Sequence, residues 1–271
     1  MSALLEHWRA GQGLPDTLVL DGHIHIGEWP HGATFASVDD TVSGAVRYLD
    51  ANGVDACCVL SGGYMWNGTD HTIGNDILLD VWRRLPDRIV PYLHVNPNDS
   101  AAAVDRELER MYAAGCRCIK LLNAYQNYPG DGPNLMRLYR FAAERRMLVM
   151  NHWWAVDVLG RIAREFPQVE FVTAHYGADQ NPLLKERPNV HANIWTLDSL
   201  GFLERGIREV GAHKFLLGSD AFMNPMSVGI GLVVYADIPD DEKRLILGLN
   251  QARLLDKVGA LPGRIKRQWL L

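Results

Sequence analysis

The sequence predicts an α/β protein, a (β/α)8 TIM barrel forming a single domain over residues 1–271, with residues 1–16 as a helical extension before the barrel. Three observations predict it. Eight short apolar runs recur along the chain, segments of helical periodicity lie between them, and polar residues gather at the C-terminal ends of the runs. The runs are continuous rather than alternating, as expected of parallel strands covered on both faces. Strands alternating with helices imply right-handed crossovers. Eight strands in a chain of this length suit a closed barrel better than the alternative, an open doubly wound sheet.

In chain order, residues 4–13 read as a helix ahead of the barrel, and the first strand is T-L-V-L-D-G-H at 17–23. It runs into His23-Ile24-His25; side chains one residue apart in a strand share a face, and Asp21 falls on that face too. Three polar groups on one side of a buried strand are costly unless something uses them. Residues 38–53 put Val42, Ala45, Val46 and Leu49 on one helical stripe and stop at Gly53. Strands follow at 55–61 and 88–95, then a helix at 100–115 with Ser100 as N-cap and Gly115 as stop signal. A strand at 116–122 precedes a helix at 133–146 whose Pro133 suits a first turn. Strands at 146–152, 170–176, 190–195 and 214–220 complete the eight, and 241–259 reads as a long terminal helix.

Bulk composition bounds the function. Hydrophobic residues make up 48% and charged residues 22%, ordinary for a soluble domain. A formal net charge of -5 argues against nucleic acid as a partner. No apolar run is long enough to span a bilayer, so no membrane role is expected. The N-terminus lacks a signal-peptide pattern, and a cytoplasmic protein is expected. The cysteines occur as Cys57-Cys58 and Cys116-x-Cys118 inside predicted strands, where disulfide geometry is unfavourable, so they read as buried free thiols.

Chemistry in a (β/α)8 barrel sits at the C-terminal ends of the strands. There this chain carries His23 and His25 (strand one), Lys120 (four), Asn151-His152 (five), His175 (six) and Asp220 (eight). Strand five lies across the ring from strand one, and strand eight is its neighbour. His23, His25, His152 and Asp220 would therefore converge over the axis as a nitrogen and oxygen site for one divalent metal, Zn²⁺ foremost, with Mn²⁺, Fe²⁺ or Co²⁺ also suited. The competing reading is a set of core histidines bonded to Asp21 and carbonyls, with Asp220 merely a cap. His94 either lines the cavity or sits below it. His7, His31, His71, His191 and His213 lack convergent partners and read as structural or exposed. Trp29, Tyr64, Trp66, Tyr125, Tyr128, Trp153, Trp154, Tyr176, Trp195 and Phe222 follow strand ends closely, which suggests a largely apolar pocket; few arginines accompany them, against a phosphorylated substrate.

These residues sit in segments whose order and spacing carry a resemblance. D-G-H-I-H, H-V-N-P, G-C-R-C-I-K-L, V-M-N-H, V-T-A-H-Y-G, L-L-G-S-D and the late L-I-L-G-L-N-Q-A-R-L-L together resemble the amidohydrolase superfamily, especially the amidohydrolase-related branch that includes aminocarboxymuconate-semialdehyde decarboxylase. The resemblance implies a metal-dependent hydrolase in which Asp220 is both ligand and base for a metal-bound water, His175 polarises the reacting carbonyl, and a small amide, lactone or ester is cleaved. For Lys120 it implies either a carbamylated bridge between two metals or a cation that holds a substrate carboxylate; a structural lysine at the rim is the plain alternative. Asp21 is expected to support a ligating histidine rather than bind metal. The branch also includes non-hydrolytic enzymes, so a decarboxylase or hydratase acting on a small carboxylate, aromatic ones included, is the second reading. A metal-free lactonase or a non-catalytic binding barrel is the third. The implied partner is a small-molecule substrate, with homo-oligomers frequent among relatives. One departure stands out: the branch often has a histidine directly after the strand-four lysine, and this chain has Leu121.

Overall fold

The computed structural model describes residues 2–27, 37–66, 68–195, 199–221, 224–265 and 267–270; Trp29, His31 and Phe222 lie outside them. Eight strands pair in parallel and in sequence order: β1 (Leu20–Ile26), β2 (Ala56–Ser61), β3 (Ile89–Leu93), β4 (Cys118–Leu121), β5 (Leu148–Asn151), β6 (Glu170–Thr173), β7 (Val190–Asn193) and β8 (Phe215–Leu216). Each coincides with a predicted run. The main shift is in β1, which extends through Ile26 and so carries both histidines within the strand rather than after it. The ring closes between β1 and the segment after β8: Gly22 N donates to Leu217 O (2.9 Å), Asp220 N to His23 O (2.9 Å) and His25 N to Ala221 O.

Helices cover the outside. α1 (Ala3–Arg9), α2 (Val38–Ala51), α3 (His71–Arg84), α4 (Ala101–Ala113), α5 (Pro133–Arg145) and α6 (Val156–Glu165) are followed by α7 (Asn181–Glu186), α8 (Phe202–Val210), α9 (Met226–Val234), α10 (Asp240–Arg244) and α11 (Asn250–Lys257). The sequence cues mark their starts: Ser100 Oγ accepts from Ala103 N at the head of α4, and Pro133 opens α5. The apolar residues divide into two layers, as strand alternation requires. Leu20, Cys58, Leu60, Tyr92, Met150 and Leu216 fill the barrel interior, while Ile119, Leu121, Val149 and Phe171 pack outward against the helices. Leu121 therefore belongs to the helical layer, and Lys120 points inward together with Cys118.

The terminal helix is not continuous. Residues Leu245–Leu249 form a π-turn between α10 and α11. The widened turn frees Ile246 O to accept from Leu217 N (2.9 Å), which ties the helix to the end of β8. It also brings Gly248 so close to the segment leading into β1 that an added Cβ would stand 2.4 Å from Leu18 O.

At the opposite end of the barrel, the expectation that His191 lacks partners is corrected. Glu170, at the start of β6, accepts from His191 Nε2 (3.2 Å) and from Lys257 Nζ. The partner comes from an adjacent strand and from α11, which spacing along the chain does not reveal. Burial raises the Glu170 carboxyl, but the hydrogen bonds from His191 and Lys257 and the charge beside it outweigh that effect and hold it below its ordinary 4.5.

Gly248→Ala should destabilise the fold by about 1–3 kcal/mol through overpacking against the backbone at Leu18, seen as a lower urea midpoint with unchanged slope. Because the Glu170 pKa is depressed on folding, its contribution is complete above 4.5 and disappears as pH falls through the lowered value. The stability difference between wild type and Glu170→Gln should therefore shrink on acidification; parallel pH profiles would refute this.

Candidate metal centre at the barrel mouth

The register of β1 on β2 slips by one residue between Asp21 and Ile24. This bulge breaks strict alternation, so Asp21 does not simply stack in line with the histidines. Its Oδ1 accepts from the backbone N–H groups of His23 (3.1 Å) and Ser219 (3.1 Å), linking β1 to the turn after β8. Asp21 thus supports His23 through the main chain and not through the imidazole. Burial pushes its carboxyl up to about 6, against the hydrogen bonds from Ser219 and His23.

Asp220 adopts φ +58°, a left-handed conformation that aspartate tolerates better than most residues. That turn aims its carboxylate at β1: Oδ1 lies 2.8 Å from His25 Nε2 and 3.3 Å from His23 Nε2. Gly218, two residues earlier, leaves room for the Asn193 side chain, which donates to Leu217 O (3.0 Å) and braces β7 against β8.

Lys120 is wholly buried, with Nζ 3.1 Å from His23 Nε2. It is not a rim lysine reaching for solvent. Burial lowers its pKa to about 7, against the pull of Asp220.

His152 and His175 complete the ring of polar groups. Asn151 Nδ2 donates to Asn123 O δ1 and to Trp153 O (2.7 Å each), which fixes the turn that presents His152. His175 Nε2 lies 3.0 Å from His152 Nδ1, and His175 Nδ1 lies 3.1 Å from Trp195 O. A carbonyl can only accept, so His175 Nδ1 carries a proton. In the neutral ring Nε2 is then the acceptor, and His152 Nδ1–H must be its donor. This leaves the Nε2 lone pair of His152 free of that exchange. Burial, with Lys120 next, brings His175 to about 4; burial, with His175 next, brings His152 to about 3; burial also lowers His23 and His25. All four imidazoles are neutral at pH 7, the form that coordinates metal.

The donors of His23, His25 and Asp220 lie within 4.8 Å of one another and are buried, so these three groups can hold a metal ion. The fit is supported by His23 Nε2, which faces the Lys120 donor and the Asp220 acceptor at once. A cation among the three groups would give each lone pair a partner. His152 is not one of this trio; its ring centroid lies 4.3 Å from that of His175.

The remaining sequence expectations divide. His94 is buried, but its Nδ1 meets His71 Nδ1 at 3.0 Å, correcting the reading of His71 as partnerless. Asn75 clamps the His94 backbone at both N and O and donates to Glu107. Neither Asn75 nor Glu107 is foreshadowed by a motif; each is an internal polar residue of a helix. Of the aromatic residues, Tyr176 turns into the helical layer against Phe202 and Phe215. Trp66 and Tyr125 stay at the mouth, Tyr125 with its ring 4.7 Å from that of His152. All four cysteines are buried and free. No described helix is long and apolar enough to cross a membrane.

A family model described as Amidohydrolase matches residues 21–257. Among curated proteins nothing matches by sequence. Among solved structures, 5-carboxyvanillate decarboxylase from Sphingomonas paucimobilis is 16% identical, with a TM-score of 0.71 over 89% of this chain and 99% of that one. The enzyme of the same name from Novosphingobium aromaticivorans, complexed with manganese and 4-hydroxy-3-methoxy-5-nitrobenzoic acid, is 13% identical, with a TM-score of 0.73 over 89% and 96%. A 2,6-dihydroxybenzoate decarboxylase from Rhizobium is 13% identical, with a TM-score of 0.68 over 89% and 98%. At these identities the likeness is one of fold.

Elemental analysis should find about one divalent metal per chain, lost in His25→Ala. Asp21→Asn should keep the metal but bind it about 10- to 100-fold more weakly, as expected of a group that orients a ligand. Full metal content and affinity in both variants would exclude this centre.

Proposed function

The chain belongs to the amidohydrolase family, and from that premise we propose that it is a metal-dependent lyase that removes CO2 from a small aromatic carboxylate. The observation that carries this reading is Lys120, an amine withdrawn from water beside His23 and brought to about 7 by burial, so that its charged form is the one a substrate anion would favour. Burying that charged form costs several kcal/mol unless an anion meets it. A substrate carboxylate supplies that anion; a neutral amide, lactone or ester does not. The decarboxylases similar in fold act, by their names, on aromatic acids, and one of them carries manganese.

In this scheme His23, His25 and Asp220 hold the metal, Zn²⁺ or Mn²⁺, with His152 Nε2 available to join them. The bound cation would supply Lewis-acid polarisation of a substrate oxygen. Lys120 Nζ binds and orients the carboxylate. When the bond to the carboxyl carbon breaks, its electron pair stays with the ring carbon, CO2 departs, and a proton takes its place. The neutral His152–His175 pair, joined through His152 Nδ1–H and His175 Nε2, lies beside the trio and orients the substrate, while the proton that replaces CO2 comes from solvent water, which leaves as hydroxide. Hydrolysis, the first expectation from sequence, fits less well: Asp220 Oδ1 already faces both histidines, which suits a ligand more than a base for water. A metal-free lactonase or binding barrel leaves the buried trio and Lys120 without use.

Metal-loaded protein should release CO2 from 2,6-dihydroxybenzoate, 5-carboxyvanillate or a related hydroxybenzoate, with chelators abolishing turnover. Lys120→Met should lower kcat/KM at least about 100-fold, the scale of one lost charged contact in a dry site. Cleavage of lactones or esters with no CO2 from any aromatic acid would overturn the lyase reading.

A further inference from the structure

Four rings run edge to face across the barrel mouth. Trp66 and Tyr125 have centroids 5.1 Å apart at 75°, Tyr125 and His152 4.7 Å at 64°, and His152 and His175 4.3 Å at 66°. The file continues to His23, whose ring is 5.9 Å from that of His175. It thus leads from the metal-binding trio to the rim. Its members differ in exposure: Tyr125 is 52% exposed, while His152 and His175 are largely enclosed.

Tyr125 is also held in place. Its neighbour Gln126 is buried and donates from Nε2 to Met65 O (2.8 Å), joining the loop after β4 to the loop after β2. Asn98 Nδ2 donates to Gln126 O (2.9 Å), adding the loop after β3. Three loops therefore fix the backbone at Tyr125, and an open aromatic surface on a braced backbone costs little entropy to use.

We propose that Tyr125 is a specificity-determining residue: its ring, braced edge-on by Trp66 and His152, packs against the ring of the substrate and selects planar aromatic acids over saturated ones. This inference rests on the aromatic-carboxylate reading of the site, and it adds the surface that tells a flat ring from a puckered one. Offset or edge-to-face ring contact is worth about 3- to 10-fold in binding beyond the area buried. A cyclohexane ring of similar size buries comparable area without that contact.

Isothermal titration of the metal-loaded protein with benzoate and with cyclohexanecarboxylate measures the preference directly, without turnover. Wild type should bind benzoate about 3- to 10-fold more tightly. Tyr125→Ala should bring the ratio close to one, and Tyr125→Phe should keep it, because the ring and not the hydroxyl is used. An unchanged ratio in Tyr125→Ala, a ratio lost in Tyr125→Phe, or no preference in wild type would each overturn the proposal. Benzoate selectivity that depends on Tyr125, in a protein that releases no CO2, would uphold the inference while refuting the lyase reading. CO2 release with a ratio indifferent to Tyr125 would do the reverse.

Discussion

The hydrogen bonds that close the barrel between β1 and the segment after β8 set the distance between two histidines and a carboxylate that lie nearly 200 residues apart. His23 is bonded through its carbonyl to Asp220 N and through its N–H to Asp21, and Asp21 in turn accepts from Ser219. The same contacts that seal the ring therefore seat the donors of the candidate metal centre. Loosening that seam would damage stability and site together, since both draw on one set of backbone bonds.

Around this seam the chain accepts an electrostatic cost. Lys120, His23, His25 and Asp220 are nearly excluded from solvent, and a buried cation is tolerated only where good partners surround it. An apolar barrel floor of Leu20, Leu60, Met150 and Leu216 keeps water away from below, which strengthens each charge interaction above it. The site thus concentrates charge that a low-dielectric setting makes costly.

Much of this was legible in the sequence, for identifiable reasons. Parallel strands buried on both faces write themselves as apolar runs, and the fold rule then sends polar strand-end residues to one face, so His23, His25, Lys120, His175 and Asp220 could be gathered before any coordinates. The bulge in β1 could not be read, because one extra residue in a ladder leaves no compositional mark. The pairing of His71 with His94, and of His191 with Glu170 and Lys257, was hidden because helix and strand packing brings the partners together. That His23, His25 and Asp220 draw closer to one another than to His152 depends on side-chain direction after β5, which spacing does not encode.

The π-turn in the terminal helix acts as a phase shifter. One surplus residue in a helix of 3.6 residues per turn rotates everything beyond it by about 100°. Before the turn, Lys243 reaches Ser2 Oγ (3.1 Å) and Val234 O (2.9 Å), in the outer wrapping of the molecule. After it, Asn250 caps the carbonyls of Ala212 and Phe215 (2.9 Å each), and Gln251 lies against Gly22, beneath the β1 histidines. A regular helix would index only one of these two ends correctly. The irregular turn lets a single rod clasp the N-terminal helix at one end and plug the base of the barrel at the other, so the last helix works as a latch on the ring.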